Sequence, residues 1–502
     1  MKNGKSTSRR EFLTLSAGGA AALAIAGPGV KSVLGATNAA WTPGTPINPA
    51  IDPRKVVYCQ HNATTNKMML NPSAVSTFAV QNAALDSALI KSNMDAMAKT
   101  LTGKAKAAEA WATIFMNPTA KTWSQVKVFM KVNGTIETIM PHIPVVSKVC
   151  EELINLGVPG SNITIADPGR GASGSSKYTP YAGGNGLPAG VIVSTEMYPE
   201  FTGGTGRTGG KTPNIPIGTG TQQVWCTKDI VVADASGVLT YVADIIVNFA
   251  VNKGHPGKPQ IADLTLSMKN HVGTFAVLGT NGDDCPGDAA FNGGQPGGDF
   301  LIALNQSEAI MGSGPGYPVR QQLVIMDSLW ASKGGPHINP DVAPGIIAMG
   351  TCGGVMDWLT HFNVRIPMGA PALITSALGV LTDFVTSFGF QTSELRWIPA
   401  GTVGIGNNAA RGNSFNTSEV VVIAGNNERV IFTVEGRDLA GARVNVYEVS
   451  GKLVRELGEV SGRSTLVWDG KNLSGGNVPA GRYVVKLWSG NRTYAKSMSL
   501  VN

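Results

Sequence analysis

Between residues 55 and 388, short β-branched runs alternate with segments of helical periodicity, and this alternation constrains the fold more than any other feature. The predicted strands are KVVYC (55–59), VKVFMKV (126–132), NITIAD (162–167), VADIIVNFA (242–250), QLVIMD (322–327) and GIIAM (345–349). The predicted helices cover residues 76–100, 145–157, 299–311, 353–362 and 371–388. Because the strands are apolar on both faces, the sequence predicts an α/β domain over 37–417, with a mostly parallel sheet flanked by helices.

Two segments of this domain need separate interpretation. Fourteen of the 53 residues in 168–220 are glycine, which is typical of an insertion or a long loop. Within it, GVIVSTEMYPEF (190–201) is compatible with a hairpin. Further on, DLTLSMKNHVG (263–273) is predicted to be helical, with Asp263 as its N-cap.

The last 85 residues contain strand patterns at short intervals and no helical periodicity, which predicts a small antiparallel β-sandwich over 418–502. The predicted strands are EVVVIAG, RVIFTVEG, ARVNVYEVSG, STLVWDG, GRYVVKLWSG and AKSMSLVN. The segments VSGKLV, WDG and PAGRY resemble the Ig-like module of flagellar hook-capping proteins and the related C-terminal sorting domains of type IX secretion. That resemblance implies surface delivery, packing or adhesion; a plain sandwich appended for stability is the alternative.

Residues 1–36 form the most basic part of the chain and carry four of its seven net positive charges. STSRREFLTLSAGGAAALAIAGPG (6–29) resembles a twin-arginine export signal, with Arg9 and Arg10 as the pair and cleavage near VLGA (33–36). The resemblance implies the twin-arginine translocation machinery as a partner and delivery to the periplasm or the cell surface. An uncleaved membrane anchor is the alternative. The remaining charge is ordinary for a soluble protein, so nucleic acid is not expected as a partner.

The cysteines are too widely spaced for a metal-cluster motif. Cys59, Cys150, Cys226, Cys285 and Cys352 include no CxxC pair. Neither a ferredoxin-type iron–sulfur cluster nor a zinc ribbon is therefore expected. One or two disulfides are compatible with export, and most of these residues are expected to be small buried hydrophobes.

Polar side chains follow four of the predicted strands at their carboxyl ends. They are Lys131 and Asn133, then Asp167 and Arg170, then Lys253 and His255, and finally Asp327. Because the carboxyl ends of parallel strands meet at one edge of a sheet, we expect these groups to converge. The helix predicted after the third of these strands brings Lys269, Asn270 and His271 back to the same edge.

Such a set of cations requires an anion, so the sequence predicts a site for a small phosphate, carboxylate or sulfate ligand. Lys253, His255 and Lys269 are the predicted catalytic groups, because a crowded lysine is suited to act as a base or imine-forming amine and histidine can carry protons. The predicted ligand-binding residues are Lys131, Asn133, Asp167, Arg170, Asn270, His271 and Asp327. Asp167 and Asp327 could instead hold a divalent cation, and His337 could join the two other histidines at a metal.

Several of these segments together resemble the exported and iron–sulfur-associated proteins grouped as domain of unknown function 362. They are KVFMKVNG, NITIADPG, VNFAVNKGH, LTLSMKNHVGTF, LVIMDSLWASKGGP and GTCGGVMDWL. The resemblance spans about residues 50–400 and implies an α/β fold with a shared site but no established reaction. Members often carry a cysteine-rich ferredoxin insert, which this chain lacks. The segment GTCGGVMD retains Asp357 but not the Asp-Pro that usually precedes it.

Two classes of function remain open at this stage. The first is an exported enzyme or ligand-binding protein with a lysine- and histidine-lined site. The second is a non-catalytic structural or adhesive surface protein, in which KGHPGK (253–258) is only a solvated loop. The chain has no HExxH or GxSxG motif, so the commonest hydrolase signatures are missing. The two classes differ in whether the cations share one pocket.

Overall fold

The structure is a computed structural model, and the chain divides into two compact units after residue 403. It describes residues 41–43, 45–60, 67–168, 175–194, 210–217, 220–275, 299–314, 316–400, 420–423, 430–434, 442–448, 452–460, 464–479, 481–489 and 492–500. The predicted export signal, Arg170 and Cys285 lie outside these ranges. In the part of the chain thus described, no helix is long and apolar enough to cross a membrane.

The first unit contains thirteen strands and nine α-helices in its described residues. The strands are β1 (Lys55–Gln60), β2 (Val128–Lys131), β3 (Ile163–Ala166), β4 (Ile192–Val193), β5 (Gly210–Ile217), β6 (Gly220–Cys226), β7 (Val231–Ala233), β8 (Leu239–Tyr241), β9 (Ile245–Gly254), β10 (Leu264–Thr265), β11 (Gln321–Ser332), β12 (Ile346–Gly350) and β13 (Arg396–Pro399). The helices are α1 (Phe78–Ala83), α2 (Ser87–Thr102), α3 (Ala107–Ile114), α4 (Ile143–Asn155), α5 (Ser267–Asn270), α6 (Asp299–Gln306), α7 (Glu308–Met311), α8 (Gly353–Thr360) and α9 (Thr375–Thr386). Short 3₁₀ helices cover Trp123–Gln125, Gly160–Asn162, Ser175–Tyr181, Pro259–Ile261, His271–Gly273 and Thr392–Glu394, and a π-helix covers His361–Arg365.

The main sheet has the strand order β13-β1-β12-β11-β9-β2-β3-β4, and β10 pairs with the end of β9. The run β11-β9-β2-β3-β4 is parallel throughout, as is the pair of β13 and β1. The pairs formed by β12 with β1 and β11 are antiparallel, as is that of β10 with β9. The predicted α/β class, a mostly parallel sheet flanked by helices, is confirmed.

Alternate residues of the central strands pack into two separate cores, one on each face of the sheet. Phe129, Ile246 and Val324 belong to the core that includes residues of α6, α8 and α9. Val128, Ile245 and Leu323 belong to the core that includes residues of α2, α3 and α4. Burial on both faces explains why the strands read as continuous apolar runs, and each fully buried aliphatic side chain contributes about 1.5–3 kcal/mol.

Residue types at its two ends determine where α4, the helix that follows β2, begins and ends. Pro144 occupies the first turn, where its missing N–H has no cost, and the chain leaves the helix at Gly157 with φ 106°. A side chain at that positive φ would be strained, which is why glycine ends the helix. The predicted helix at 145–157 is therefore found two residues earlier, at Ile143–Asn155.

Two local predictions were wrong. The helix predicted over 76–100 is two helices, because the Asp86 side chain accepts a hydrogen bond from Leu89 N (2.9 Å) and starts α2 anew. Asp263 is not an N-cap: it has φ 52°, and its carboxylate accepts from Lys258 N at 2.6 Å. The hairpin predicted over 190–201 lies largely outside the described ranges, because residues 195–201 are not described; its first strand, at Ile192–Val193, lies parallel to β3.

The glycine-rich segment and the chain after it contain strand pairs that the sequence pattern did not indicate. β5 and β6 pair antiparallel across residues 218 and 219, so part of the predicted long loop is a hairpin. β7 and β8 form a second antiparallel pair just before β9. Both pairs are separate from the main sheet in the described structure.

The second unit contains antiparallel sheets, as predicted. Its strands are β14 (Val420–Ile423), β15 (Val430–Val434), β16 (Ala442–Glu448), β17 (Leu453–Val460), β18 (Ser464–Trp468), β19 (Gly481–Ser489) and β20 (Arg492–Leu500). They form the sheets β14-β15-β18 and β17-β16-β19-β20. Trp468 of the first sheet packs with Val444, Val485 and Tyr483 of the second, so the two sheets share one core. The domain boundary predicted at 417 and 418 falls in residues that the structure does not describe.

Candidate functional site

Three predicted site residues meet at the carboxyl edge of the main sheet because their strands are parallel neighbours. β9 lies beside β2, and β2 lies beside β3. Lys131 ends β2 and is in register with Asn248 of β9 and Ala166 of β3, the residue before Asp167. Lys253 lies near the end of the longer strand β9. Their convergence follows from the strand order, which the sequence did not specify.

Lys131 and Asp167 form a buried ion pair at the base of this site. Lys131 Nζ donates to Asp167 Oδ1 at 2.8 Å and to the Val132 carbonyl oxygen at 2.5 Å, and both side chains are at most 3% exposed. The second carboxylate oxygen accepts from Gly134 N at 2.6 Å. Burial lowers the pKa of Lys131, and the charge and hydrogen bond of Asp167 oppose that shift. Each partner supplies the charge that the other needs in a region without water.

Asn270 connects this ion pair to the second buried lysine. Its Oδ1 accepts from Lys131 Nζ at 3.3 Å and from Asn133 Nδ2 at 3.2 Å. Asn133 Oδ1 in turn accepts from Lys253 Nζ at 2.8 Å. The hydrogen-bonded chain Lys253–Asn133–Asn270–Lys131–Asp167 therefore joins four chain segments, and we call it the lysine–asparagine network.

The network is anchored to the middle of β9 through a further asparagine. Asn270 Nδ2 donates to Asn248 Oδ1 at 2.7 Å and to the Phe249 carbonyl at 3.0 Å. Asn248 Nδ2 donates to the Ser267 carbonyl at 3.1 Å, so the two asparagines hold α5 on the sheet. Asn248 is not among the predicted site residues, although an asparagine inside the apolar run VADIIVNFA is a usable signal.

Gly273 allows the segment after α5 to lie directly on the ion pair. A Cβ atom there would be 2.2 Å from Asp167 Oδ1 and 2.9 Å from Lys131 Nζ. Both distances are shorter than real Cβ contacts, so any larger residue would have to displace the pair. This contact explains the glycine that follows the KNH sequence.

His255 and Lys269 are half-buried, whereas the members of the lysine–asparagine network are buried. His255 Nδ1 lies 3.2 Å from Thr265 Oγ1. Burial, followed by the positive charges of Lys269, His337, Lys258 and Lys253, lowers the pKa of His255 to about 3. The imidazole is therefore neutral at physiological pH, and the cations gathered around it create the positive potential that an anion would meet.

Two predicted residues lie apart from the network. Asp327 is in the middle of β11 rather than at its end, and its Oδ2 accepts from the backbone nitrogen of His142 (2.8 Å) and lies 2.9 Å from His142 Nδ1. His271 is fully buried, with its Nε2 2.6 Å from Oε1 of Gln321, the first residue of β11. Burial is also the main reason why its pKa is lowered to about 3. Arg170 lies outside the described residues.

Asp357 holds the helix that carries Lys269 and Asn270. Its carboxylate accepts hydrogen bonds from Ser267 N (2.7 Å), Met268 N (3.0 Å) and the Ser267 hydroxyl. Burial raises the pKa of Asp357 to about 7. The aspartate retained in GTCGGVMD thus anchors the start of α5 rather than contacting the network itself.

Arg365 connects the ends of β9 and β11 by hydrogen bonds. It is not among the predicted site residues. Its Nη1 donates to Asn252 Oδ1 at 2.6 Å and to the Ser332 carbonyl at 3.2 Å, and its Nη2 donates to the Lys333 carbonyl at 3.0 Å. The residue belongs to the π-helix His361–Arg365, a geometry that is common near functional sites. No sequence signal distinguishes this arginine from a surface residue.

The part of the chain that the structure describes contains no group of three histidine, cysteine or acidic side chains placed to hold a metal ion. Cys59, Cys150, Cys226 and Cys352 are buried free thiols. Desolvation raises the pKa of Cys59 and Cys352 to about 12, so these thiols are protonated at neutral pH. The possible Asp167 and Asp327 metal site is not formed, because these carboxylates bind different partners.

No family model matches the chain, and no curated protein is similar to it at a significant level. Among solved structures, PorZ, a surface component of the type IX secretion system of Porphyromonas gingivalis, matches 20% of this chain with 16% identity and a TM-score of 0.15. FlgD from Pseudomonas aeruginosa matches 16% of it with 25% identity and a TM-score of 0.13. The matches cover 13% and 66% of those chains, respectively. Such low TM-scores support no inference, and the resemblance to domain of unknown function 362 stays a prediction.

Proposed function

We propose that the carboxyl edge of the main sheet binds a small anionic molecule above the lysine–asparagine network. The observation that carries this proposal is the set of cations around His255: Lys269, His337, Lys258 and Lys253 all depress its pKa. Below them, Lys131 is already neutralised by Asp167. The inner pair therefore maintains the fold, while the half-buried Lys258 and Lys269 give this edge the positive potential that attracts a carboxylate or phosphate.

The chemistry of the site is compatible with proton transfer. His255 is a neutral imidazole that can accept a proton, and Lys253 Nζ, whose charge acts on His255, donates to Asn133 Oδ1. Lys269 would contribute charge for the ligand. We propose binding of the anion as the function and name no reaction, because the geometry identifies proton-carrying groups but not the bond that they would act on.

The proposal is tested by measuring the pKa of His255 in protein labelled with ¹³C-histidine, with and without inorganic phosphate. Bound phosphate would stabilise the imidazolium, so the pKa of His255 should rise by about one unit or more at saturation. A His255→Gln variant assigns the signal, and buried His271 serves as the internal control. An unchanged His255 pKa, together with native mass spectra that show neither phosphate nor a copurified anion, would refute the proposal.

Export by the twin-arginine route and delivery to the periplasm or cell surface complete the proposal and rest on the sequence of residues 6–29. The alternative function is that of a non-catalytic surface protein with a sorting or adhesion module. Its support is the second unit, whose described strands form antiparallel sheets alone. Cells that express the unaltered chain are fractionated beside cells that express an Arg9→Lys/Arg10→Lys variant. Only the unaltered chain should leave the cytoplasm.

A further inference from the structure

A second cavity lies at the opposite, amino edge of the main sheet. Lys127, Asp244 and Arg320 each directly precede one of the adjacent parallel strands β2, β9 and β11, and all three line a cavity of about 270 Å³. β2 has four residues, so Lys127 lies about 13 Å along the strand from Lys131, and no residue of the lysine–asparagine network lines the cavity. The cavity therefore cannot be part of the site proposed above.

Arg320 is the buried cation of this cavity, and most of its hydrogen-bond donors have no acceptor among the described residues. It is 5% exposed, and within the described residues its side chain donates one hydrogen bond, from Nη1 to the Glu308 carbonyl oxygen at 2.6 Å. The guanidinium lies 4.2 Å from the ring centre of Tyr241, whose hydroxyl donates to Glu308 Oε2 at 2.8 Å. Arg320 forms no ion pair with any carboxylate of the described residues. A nearly buried guanidinium in this position favours a carboxylate, which can accept two parallel hydrogen bonds.

Asp244, the acidic residue of the cavity lining, already pairs with Lys121. Both carboxylate oxygens of Asp244 accept from Lys121 Nζ, at 2.7 and 2.8 Å, and Oδ2 also accepts from Lys127 N at 2.9 Å. Asp244 therefore neutralises Lys121 and fixes the start of β2 beside β9. The Glu308 and Asp244 carboxylates attract Arg320 without forming an ion pair with it. Among the lining residues, three cations accompany one carboxylate, so the cavity favours an anion.

The walls determine what kind of anion fits. Pro118, Tyr241, Val242, Tyr317 and Pro318 supply a mainly apolar surface. A hydrated phosphate would leave most of its oxygens without donors there, whereas an apolar body would replace water at these walls. We propose that this cavity binds a small organic monocarboxylate with an apolar body, its carboxylate on Arg320 and its body against the tyrosine and proline rings.

Isothermal titration calorimetry of the full chain with phenylacetate tests this inference. Acetate and 2-phenylethanol serve as probes that lack the apolar body and the charge, respectively. We expect saturable 1:1 binding of phenylacetate and at least tenfold weaker binding of both partial probes. Arg320→Lys keeps the charge but loses the planar pair of donors, and Thr240→Phe places a bulky ring at a lining position while leaving Arg320 itself unchanged. Each variant should weaken phenylacetate binding at least tenfold.

Matched variants make the result specific to this cavity. Val232 is the cross-strand partner of Thr240 but does not line the cavity, so Val232→Phe should bind phenylacetate like the unaltered chain. Lys253→Met, at the carboxyl edge, should also bind normally. If circular dichroism shows that Arg320→Lys is misfolded, Thr240→Phe decides the outcome. Absent binding to the unaltered chain, unchanged binding to Thr240→Phe, or lost binding to Lys253→Met would each overturn the inference, whatever phosphate does to His255.

Discussion

Two lysine–aspartate pairs lie at opposite edges of the main sheet, with the same chemistry in different surroundings. Lys131 and Asp167, at the carboxyl edge, have side chains that are 1% and 3% exposed. Lys121 and Asp244, at the amino edge, are 29% and 4% exposed. Water can therefore replace Asp244 as a partner for Lys121, whereas nothing can replace Asp167 for Lys131. Burial, more than the distance between the charged atoms, should decide how much each pair contributes to stability.

The largest expected difference comes from neutralising each aspartate in turn. Asp167→Asn leaves the buried Lys131 ammonium without a counter-charge and should destabilise the protein by about 3–5 kcal/mol. Asp244→Asn should cost about 1–2 kcal/mol, because Lys121 can turn to solvent and part of the hydrogen bonding survives. Urea unfolding monitored by circular dichroism compares the two. Equal losses would show that burial does not distinguish the pairs.

Substitution of the uncharged Gly273, which packs on the buried ion pair, tests how tightly the surroundings of that pair are packed. Gly273→Ala places a methyl group against Asp167 and Lys131 and should destabilise the protein by about 2–3 kcal/mol, a cost typical of overpacking. Gly379, inside α9, has nothing within 4 Å of a built Cβ. Gly379→Ala should therefore be neutral or stabilising by up to about 1 kcal/mol. If Gly273→Ala is as stable as this control in the same unfolding assay, the described packing on the ion pair is wrong.

The buried histidines predict a dependence of stability on pH. His271 has a folded pKa of about 3 and an ordinary value of 6.5, so the unfolded chain binds its proton first and stability falls below pH 6.5. At pH 5 this one residue should cost about 2 kcal/mol relative to neutral pH. Asp357, with its folded pKa raised to about 7, acts in the opposite direction: its burial destabilises the fold as the pH rises from about 4 to 7.

Comparing the pH-dependent loss of stability of a His271→Gln variant with that of the unaltered chain separates the contribution of His271 from that of Asp357. His271→Gln should lose about 2 kcal/mol less than the unaltered chain between pH 7 and pH 5, while Asp357 contributes equally to both. Chemical unfolding at the two pH values provides the measurement. An identical loss in the two proteins would mean that His271 accepts its proton in the folded state.

The smallest expected effect concerns the outer cations. Lys269→Met removes the largest charge contribution to the depressed pKa of His255, so that pKa should rise, while stability should change by less than about 0.5 kcal/mol at this half-buried position. Histidine NMR and urea unfolding measure the two quantities. A large loss of stability with no change in the His255 pKa would place Lys269 in the core instead of at the mouth of the site.

Part of the predicted convergence of residues at the carboxyl edge is observed, because strand direction and residue order carry part of the geometry. Lys131, Asp167 and Lys253 follow strands that proved parallel and adjacent, and Asn270 returned to the same edge as expected. Asp327 was misplaced because the apolar run that predicts β11 continues beyond it, so the aspartate lies inside the strand. His271 was misplaced because its segment is a short helix and a 3₁₀ turn, whose direction no periodicity specifies.

The sequence by itself determined the α/β character of the first unit, the antiparallel strands of the second and most of the polar residues at the carboxyl edge. All of these depend on local periodicity and on the residue types that come directly after each strand. Only the tertiary structure decided the strand order, the pairing of Lys131 with Asp167, the clamp formed by Arg365 and the cavity beside Arg320. These features depend on contacts between residues far apart in the chain, such as Asn252 and Arg365. Such contacts are selected by packing and by the need to satisfy every buried charge and hydrogen-bonding group, which a local pattern does not encode.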